Sequence, residues 1–257
     1  MKASERDEGG RALEASSSSV FCVAADMVKR LAEGQLEAIG AAARMIAGRL
    51  LVGGSVYVFG TGHSRAVAME LAGRAGGLEG FKELAIDDLV VQGVATRDEL
   101  VDGTLERRPD AAQYLLSAVT ASPADAFVIV SHSGCNGAPV EMALQAHRWG
   151  LPVVAITSLE HSRSVASRHP CGSRLFEVAD LCIDTCAPYG DTAIALTAGL
   201  GICGVSSFAG VLVAQALTAE VVSHYLHVGR TPPLLTSRNL QGYPSAEHAG
   251  LLGPKQP

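Results

Sequence analysis

Three stretches of this chain follow one pattern: an apolar run, a turn of small polar residues, then a helical segment. They are "VYVFGTGHSR" from Val56, "FVIVSHSGCNG" from Phe127 and "VVAITSLEHS" from Val153. Unbroken apolar runs are what strands buried on both faces require. Strands separated by helical stretches must be joined by crossovers, so they lie parallel. Right-handed crossovers then place helices on both sides of the sheet. Shorter runs near Leu84–Ile86 and within "LFEVADLCIDT" supply two more strands. The expected fold class is α/β: a doubly wound αβα sandwich on a five-stranded, mainly parallel sheet.

The rest of the chain fits around that sheet. Apolar residues recur at helical spacing from Val20 to Leu51, weakened at Gly34 and Gly40, which predicts one bent N-terminal helix or two, packed on the sheet. Asp98 to Arg108 is charged and reads as loop, and Asp110 to Val119 reads as helix. The long apolar stretch from Thr192 to Val222 is broken by glycines, so it reads as a buried loop leading into a core helix, Phe208 to Leu226. The expected layout is a disordered start over 1–19, one domain over 20–228, and an extended proline-bearing tail over 229–257. The chain's 257 residues suffice for one such domain.

Charge and composition exclude several functions. With 20 basic and 26 acidic residues the formal charge is −6, and no basic run exceeds Arg107-Arg108. Nucleic acid is therefore not an expected partner, since backbone binding needs clustered Lys and Arg. No membrane span is expected, and residues 1–19 lack the apolar core of a signal peptide, which points to a cytoplasmic protein. Its six scattered cysteines contain no CxxC pair, so reduced, buried thiols are expected and no metal site is assigned. No cofactor is implied. No GxxxxGK[ST] loop occurs, and Arg65 stands where a dinucleotide fingerprint starting at Gly60 needs its third glycine.

In doubly wound sheets, ligands bind beyond the carboxyl ends of the strands. Here those ends carry "GTGHS", "SHSGCN" and "TSLEHS", each next to a helix start. A helix N-terminus offers unpaired amides and about half a positive charge, which favours phosphate. One such turn is no more than a helix cap. Three on one rim point to a phosphorylated or heavily hydroxylated ligand.

These residues resemble a known family. "VFGTGHSR", "VIVSHSGCNGAPVEMA" and "VVAITSLEHS" are similar to the motifs of sugar isomerase (SIS) domains, the second to their phosphosugar loop. "RAGG", "SRHP" and a late "EH" extend the resemblance to single-domain phosphosugar-binding SIS proteins, over about residues 20–250. It implies a small-molecule phosphosugar as ligand. Ser131, Ser133 and Asn136, with the amides of His132 and Gly134, would bind the phosphate, although Asn136 replaces the usual Thr. His63 and Ser64 would face the same pocket, with Ser158, Ser206 and Ser207 on neighbouring loops. "CGVSSFAG" is similar to the loop opening the last helix of the glucosamine-6-phosphate synthase isomerase domain, but Phe208 stands where that enzyme has a lysine tied to ring chemistry.

The implied reaction is aldose–ketose isomerisation of a sugar phosphate or amino sugar phosphate through an enediolate. It needs a base near the sugar carbons, an acid for ring opening and donors for the oxyanion. Glu70 is the candidate base and His248 the candidate acid, contributed across a dimer. Asp87 and Asp88 are weaker candidates, and Glu141 reads as a carboxylate complementing a helix dipole. The alternatives are an N-acetylmuramic acid-6-phosphate etherase-like lyase and a non-enzymatic sugar-phosphate sensor. The weakly charged segment 192–222 predicts assembly as a homodimer or homotetramer.

Overall fold

The computed structural model describes residues 14–197, 199–237 and 239. Its centre is a five-stranded sheet in the order β2-β1-β3-β4-β5, every neighbouring pair parallel. The strands are β1 (Val56–Gly60), β2 (Phe81–Leu84), β3 (Ala126–Val130), β4 (Val153–Thr157) and β5 (Leu181–Asp184). Every residue of β1, β3 and β4 is buried, and the two outer strands are only partly so. The apolar runs therefore mark the inner strands, which need helices on both faces.

Alternate strand residues feed two cores. Val56, Val58, Val128, Val130, Val154 and Ile156 face α1 (Ser17–Gly34), α2 (Leu36–Leu51) and α3 (Arg65–Leu71), together with the last helix, Ser206–His227. Tyr57, Phe59, Phe127, Ile129, Val153 and Ala155 face the opposite layer. That layer holds α4 (Asp88–Val91), α5 (Arg97–Val101), α6 (Thr104–Arg107), α7 (Pro109–Ser117) and α8 (Gly137–Arg148). The short helices α9 (Leu159–Arg163) and α10 (Leu175–Val178) complete the connections, and the last helix is α11. By length and composition α11 could cross a membrane. Its face of Ala209, Val213, Leu217 and Val221 is instead packed in the first core, so that apolarity belongs to the fold.

Two local expectations need correction, those for 98–108 and 192–204, and the choice between one bent N-terminal helix and two is settled. The N-terminal segment is two helices, starting at Ser17 and broken at Gln35, whose amide still donates to the Leu31 carbonyl (2.9 Å). The charged stretch 98–108 is not loop but α5 and α6; Thr96 and Glu99 form a capping box at the start of α5. Residues 192–204 are not a buried loop. They form an antiparallel hairpin, β6 (Thr192–Thr197) and β7 (Leu200–Gly204), separate from the main sheet and largely exposed. In the described part of the tail, Leu234 forms an antiparallel bridge with Leu78.

Candidate functional site

Strands β1 and β3 are neighbours, yet α3 after β1 and α8 after β3 lie on opposite layers. Their carboxyl ends therefore flank the switch point, where a crevice opens. Ser64, Val130, His132, Thr185, Ser206 and Ser207 all line a notch in it. The notch has room of about 10 Å³ for the centre of a water-sized sphere, within about 230 Å³ of space open to solvent. The structure thus gathers four residues singled out from three separate loops, Ser64, His132, Ser206 and Ser207.

The loop after β3 is pinned from several sides. The Ser131 hydroxyl accepts the Gly134 amide (3.2 Å), and the His132 carbonyl accepts the Thr157 hydroxyl and the Ser158 amide (both 3.1 Å). The Gly134 carbonyl accepts the Leu175 amide (2.8 Å), and the Cys135 carbonyl accepts the Arg168 amide (2.8 Å). Gly134 has φ +60°, and a Cβ there would sit 2.7 Å from Ser162 Oγ, so only glycine fits. Asn136 stands at the N-cap of α8, but its side chain does not cap it. Its amide nitrogen donates to Glu106 Oε1 (2.7 Å) and its oxygen accepts from Arg168 Nη1 (2.5 Å). The amides at the start of this 12-residue helix therefore carry no side-chain cap, and Ser131 and Ser133 precede them in the same loop. That arrangement suits an anion.

Other expected contacts are spoken for within the fold. Ser158 is fully buried; its hydroxyl donates to the Ala187 carbonyl (2.6 Å) and accepts the His161 amide (3.1 Å), so it caps α9 rather than facing ligand. The Ser206 hydroxyl donates to Asp191 (2.8 Å), whose other carboxylate oxygen accepts the Val205 and Ser206 amides (3.0 and 2.7 Å). Asp191 therefore occupies the N-terminus of α11. Both Ser206 and Asn136 can touch a ligand only by giving up these bonds. His63 is exposed on the 3-10 turn Gly62–Ser64. Glu70 does not line the notch: its carboxylate is bonded to Arg74 and to Gln215 of α11. It lies one helical turn beyond Val67, which does line it. His248 lies outside the described residues.

Sequence reasoning missed three residues. The Glu106 carboxylate bridges the ends of β1 and β3, accepting from the Thr61 hydroxyl (2.7 Å) as well as from Asn136. Thr185 and Asp191 join the crevice from beyond β5. None has a local signal; Glu106 meets partners 45 and 30 positions away. Glu141 also differs from its expected role. It lies beyond the first turn of α8, 4% exposed, and receives hydrogen bonds from Gln113, Gln145, Arg148 and His169 at 2.9–3.1 Å. Burial alone would raise its pKa; these bonds, led by Arg148, bring it below the ordinary carboxylate value. Through His169 it anchors the "SRHP" loop, which holds the Cys135 carbonyl and Asn136.

His132 sits edge-on to His161, ring centroids 4.7 Å apart, and His161 stacks on Tyr189 at 4.9 Å. The Gly190 amide donates to His161 Nδ1 (3.0 Å), which leaves the ring proton on Nε2 in the neutral form. Burial lowers the pKa of both imidazoles. For His132 the carboxylates Asp191 and Asp184 oppose this and His161 adds to it; for His161 Asp191 and Glu160 oppose it and Arg168 adds to it. Among the described residues, no three His, Cys, Asp or Glu side chains gather to hold a metal ion.

Fold and crevice together define a class: a doubly wound α/β protein with a serine-bearing loop at its switch point. The comparisons supply the family. The SIS domain model matches residues 21–158, and the chain belongs to that family. UPF0309 proteins of Caldanaerobacter subterraneus and Listeria monocytogenes are 35% and 34% identical to it, over 84% and 86% of this chain and 87% and 90% of theirs. Among solved structures, a phosphoheptose isomerase from Neisseria gonorrhoeae aligns with TM-score 0.56 at 15% identity, over 80% of this chain and 96% of that one. One from Francisella tularensis gives 0.56 at 15%, over 79% and 95%. At such identity the likeness concerns the fold.

Proposed function

We propose that this chain binds a sugar phosphate in the crevice between β1 and β3 and interconverts its aldose and ketose forms. The observation that carries the binding step is the α8 N-terminus, free of any side-chain cap and preceded in the same loop by Ser131 and Ser133. The phosphate would lie on these hydroxyls and on the His132 amide, and on the Gly134 amide once it releases the Ser131 hydroxyl, with Ser64 opposite. The helix end supplies the favourable charge without a lysine or arginine.

The reaction belongs to the proposal at one remove. Two proteins of this fold are phosphoheptose isomerases, so the scaffold is compatible with the chemistry. Glu70 is the proposed base, on the same face of α3 as Val67 and one turn further from the phosphate. His248 is the proposed acid. Incubation with hexose, hexosamine and heptose phosphates in deuterated water tests the reading: deuterium should enter at C2 of one of them. No incorporation with any of them would remove the isomerase assignment.

Glu106 favours a second reading. It adds a carboxylate at the strand ends, and an etherase-like lyase needs two acidic groups. Release of lactate from N-acetylmuramic acid 6-phosphate would identify that activity. Tight binding of a sugar phosphate without turnover would instead point to a sensor.

A further inference from the structure

The floor of the crevice holds hydrogen-bonding atoms that the fold does not use. Both ring nitrogens of His132 and Oγ1 of Thr185 are buried, and none has a partner among the described residues. Both residues line the same notch, and Thr185 is only 3% exposed. Neither is loosely placed. The Thr185 amide donates to the Thr157 carbonyl (2.9 Å), and the His132 carbonyl takes two hydrogen bonds from Thr157 and Ser158. Buried donors and acceptors left unpaired are costly and rare, and each needs an explanation. The notch has room for about one oxygen-sized group, about 10 Å³.

The charges around the notch say what kind of oxygen fits. The α11 N-terminus, which would otherwise draw an anion, is filled by the Asp191 carboxylate. The Asp184 carboxylate is fixed nearby by the Leu159 and Cys186 amides (3.0 and 2.9 Å). Burial keeps the His132 ring neutral near pH 7 despite both carboxylates, with His161 packed on its edge. A neutral imidazole has one donor and one acceptor, and a threonine hydroxyl has both. This set matches an uncharged oxygen, and the two nearby carboxylates that act on His132 disfavour an anionic one.

We infer that the notch seats a hydroxyl or carbonyl oxygen of the bound sugar phosphate, hydrogen-bonded by the side chains of His132 and Thr185. The inference rests on reading the serine loop as the phosphate site, and it adds two ligand-contacting side chains to that site.

Calorimetric titration of the full chain separates the two. The probes are inorganic phosphate and a panel of hexose, hexosamine and heptose monophosphates. Inorganic phosphate should bind wild type and Thr185→Val equally. Thr185→Val and His132→Phe should each lose about tenfold in affinity for the best monophosphate. Should either substitution disturb the fold, ring-nitrogen NMR of wild-type His132 gives the same answer: its signals should move with the monophosphate and not with inorganic phosphate. Monophosphate affinity unchanged in both folded variants, or unmoved His132 signals, would overturn the inference while leaving the phosphate site standing. Wild type that binds neither inorganic phosphate nor any monophosphate overturns the phosphate site and this inference together.

Discussion

At the scale of single residues, the serine loop depends on Gly134 more than on its serines. The residue combines φ +60° with contacts of 2.7 and 3.1 Å from a would-be Cβ to the hydroxyls of Ser162 and Thr157. Gly134→Ala should therefore cost about 1–3 kcal/mol in urea unfolding and weaken phosphate binding in the same preparation. Glu141 makes a second prediction. Its pKa is lowered in the folded chain, so it contributes stability above its unfolded value, near 4.5, that is lost as pH falls through the folded value. Glu141→Gln should reduce stability at pH 7 and flatten the loss of stability below about pH 4.5, as read from urea midpoints across pH. The serines of this loop were legible in the sequence because a strand, a turn and a helix start are consecutive. Glu106, Thr185 and Asp191 were not, because what gives them meaning is contact between strand ends remote in sequence. Ser158 looked like a ligand residue for the complementary reason: a cap and a ligand-binding turn share one local pattern.

Among the elements, the inner strands and their helices were readable, since burial on both faces leaves unbroken apolar runs. The β6–β7 hairpin was not. Its residues are apolar without being buried, with Leu200 67% exposed, so the inference from apolar to interior failed there. The hairpin matters because the backbone entering it turns at Asp191, φ +70°, and the backbone leaving it turns at Cys203, φ +65°. Asp191 also ties the hairpin to α11 through three hydrogen bonds. Asp191→Asn retains a residue that tolerates this conformation but removes the charge at the helix end. It should lower stability by about 0.5–1 kcal/mol, and Asp191→Ala by about 2 kcal/mol, since alanine also loses the cap and is strained at this φ. Paired thermal unfolding curves of the two variants would check the order. Equal losses would mean that the charge accounts for the whole effect, and no loss in Asp191→Asn would mean that it contributes nothing at this helix end.

For the whole molecule, the question is what covers the apolar surface outside the two cores. A groove of about 190 Å³ runs between α1, α2 and α11, lined by Val28, Leu31, Leu36, Ile39, Leu212 and Ala216. Near it Phe21 is 75% exposed and Leu36 64% exposed, and the hairpin adds Leu196, Leu200 and Ile202. Scattered apolar residues are ordinary on a surface, but a groove continuous with apolar helix faces is what an association site offers. An isolated two-stranded hairpin is marginally stable in water, so β6–β7 also gains from a cover. A second copy of the chain meets both needs, because a two-fold contact applies each patch to its own symmetry mate or to the other patch. Light scattering at micromolar concentration should therefore give a mass of two or four chains. Leu212→Glu, which places a charge in the groove, should shift that mass toward one chain while leaving far-ultraviolet circular dichroism unchanged. If Leu200→Glu dissociates the assembly and Leu212→Glu does not, the hairpin is the contact and the groove is not. A wild-type monomer would remove the expectation altogether.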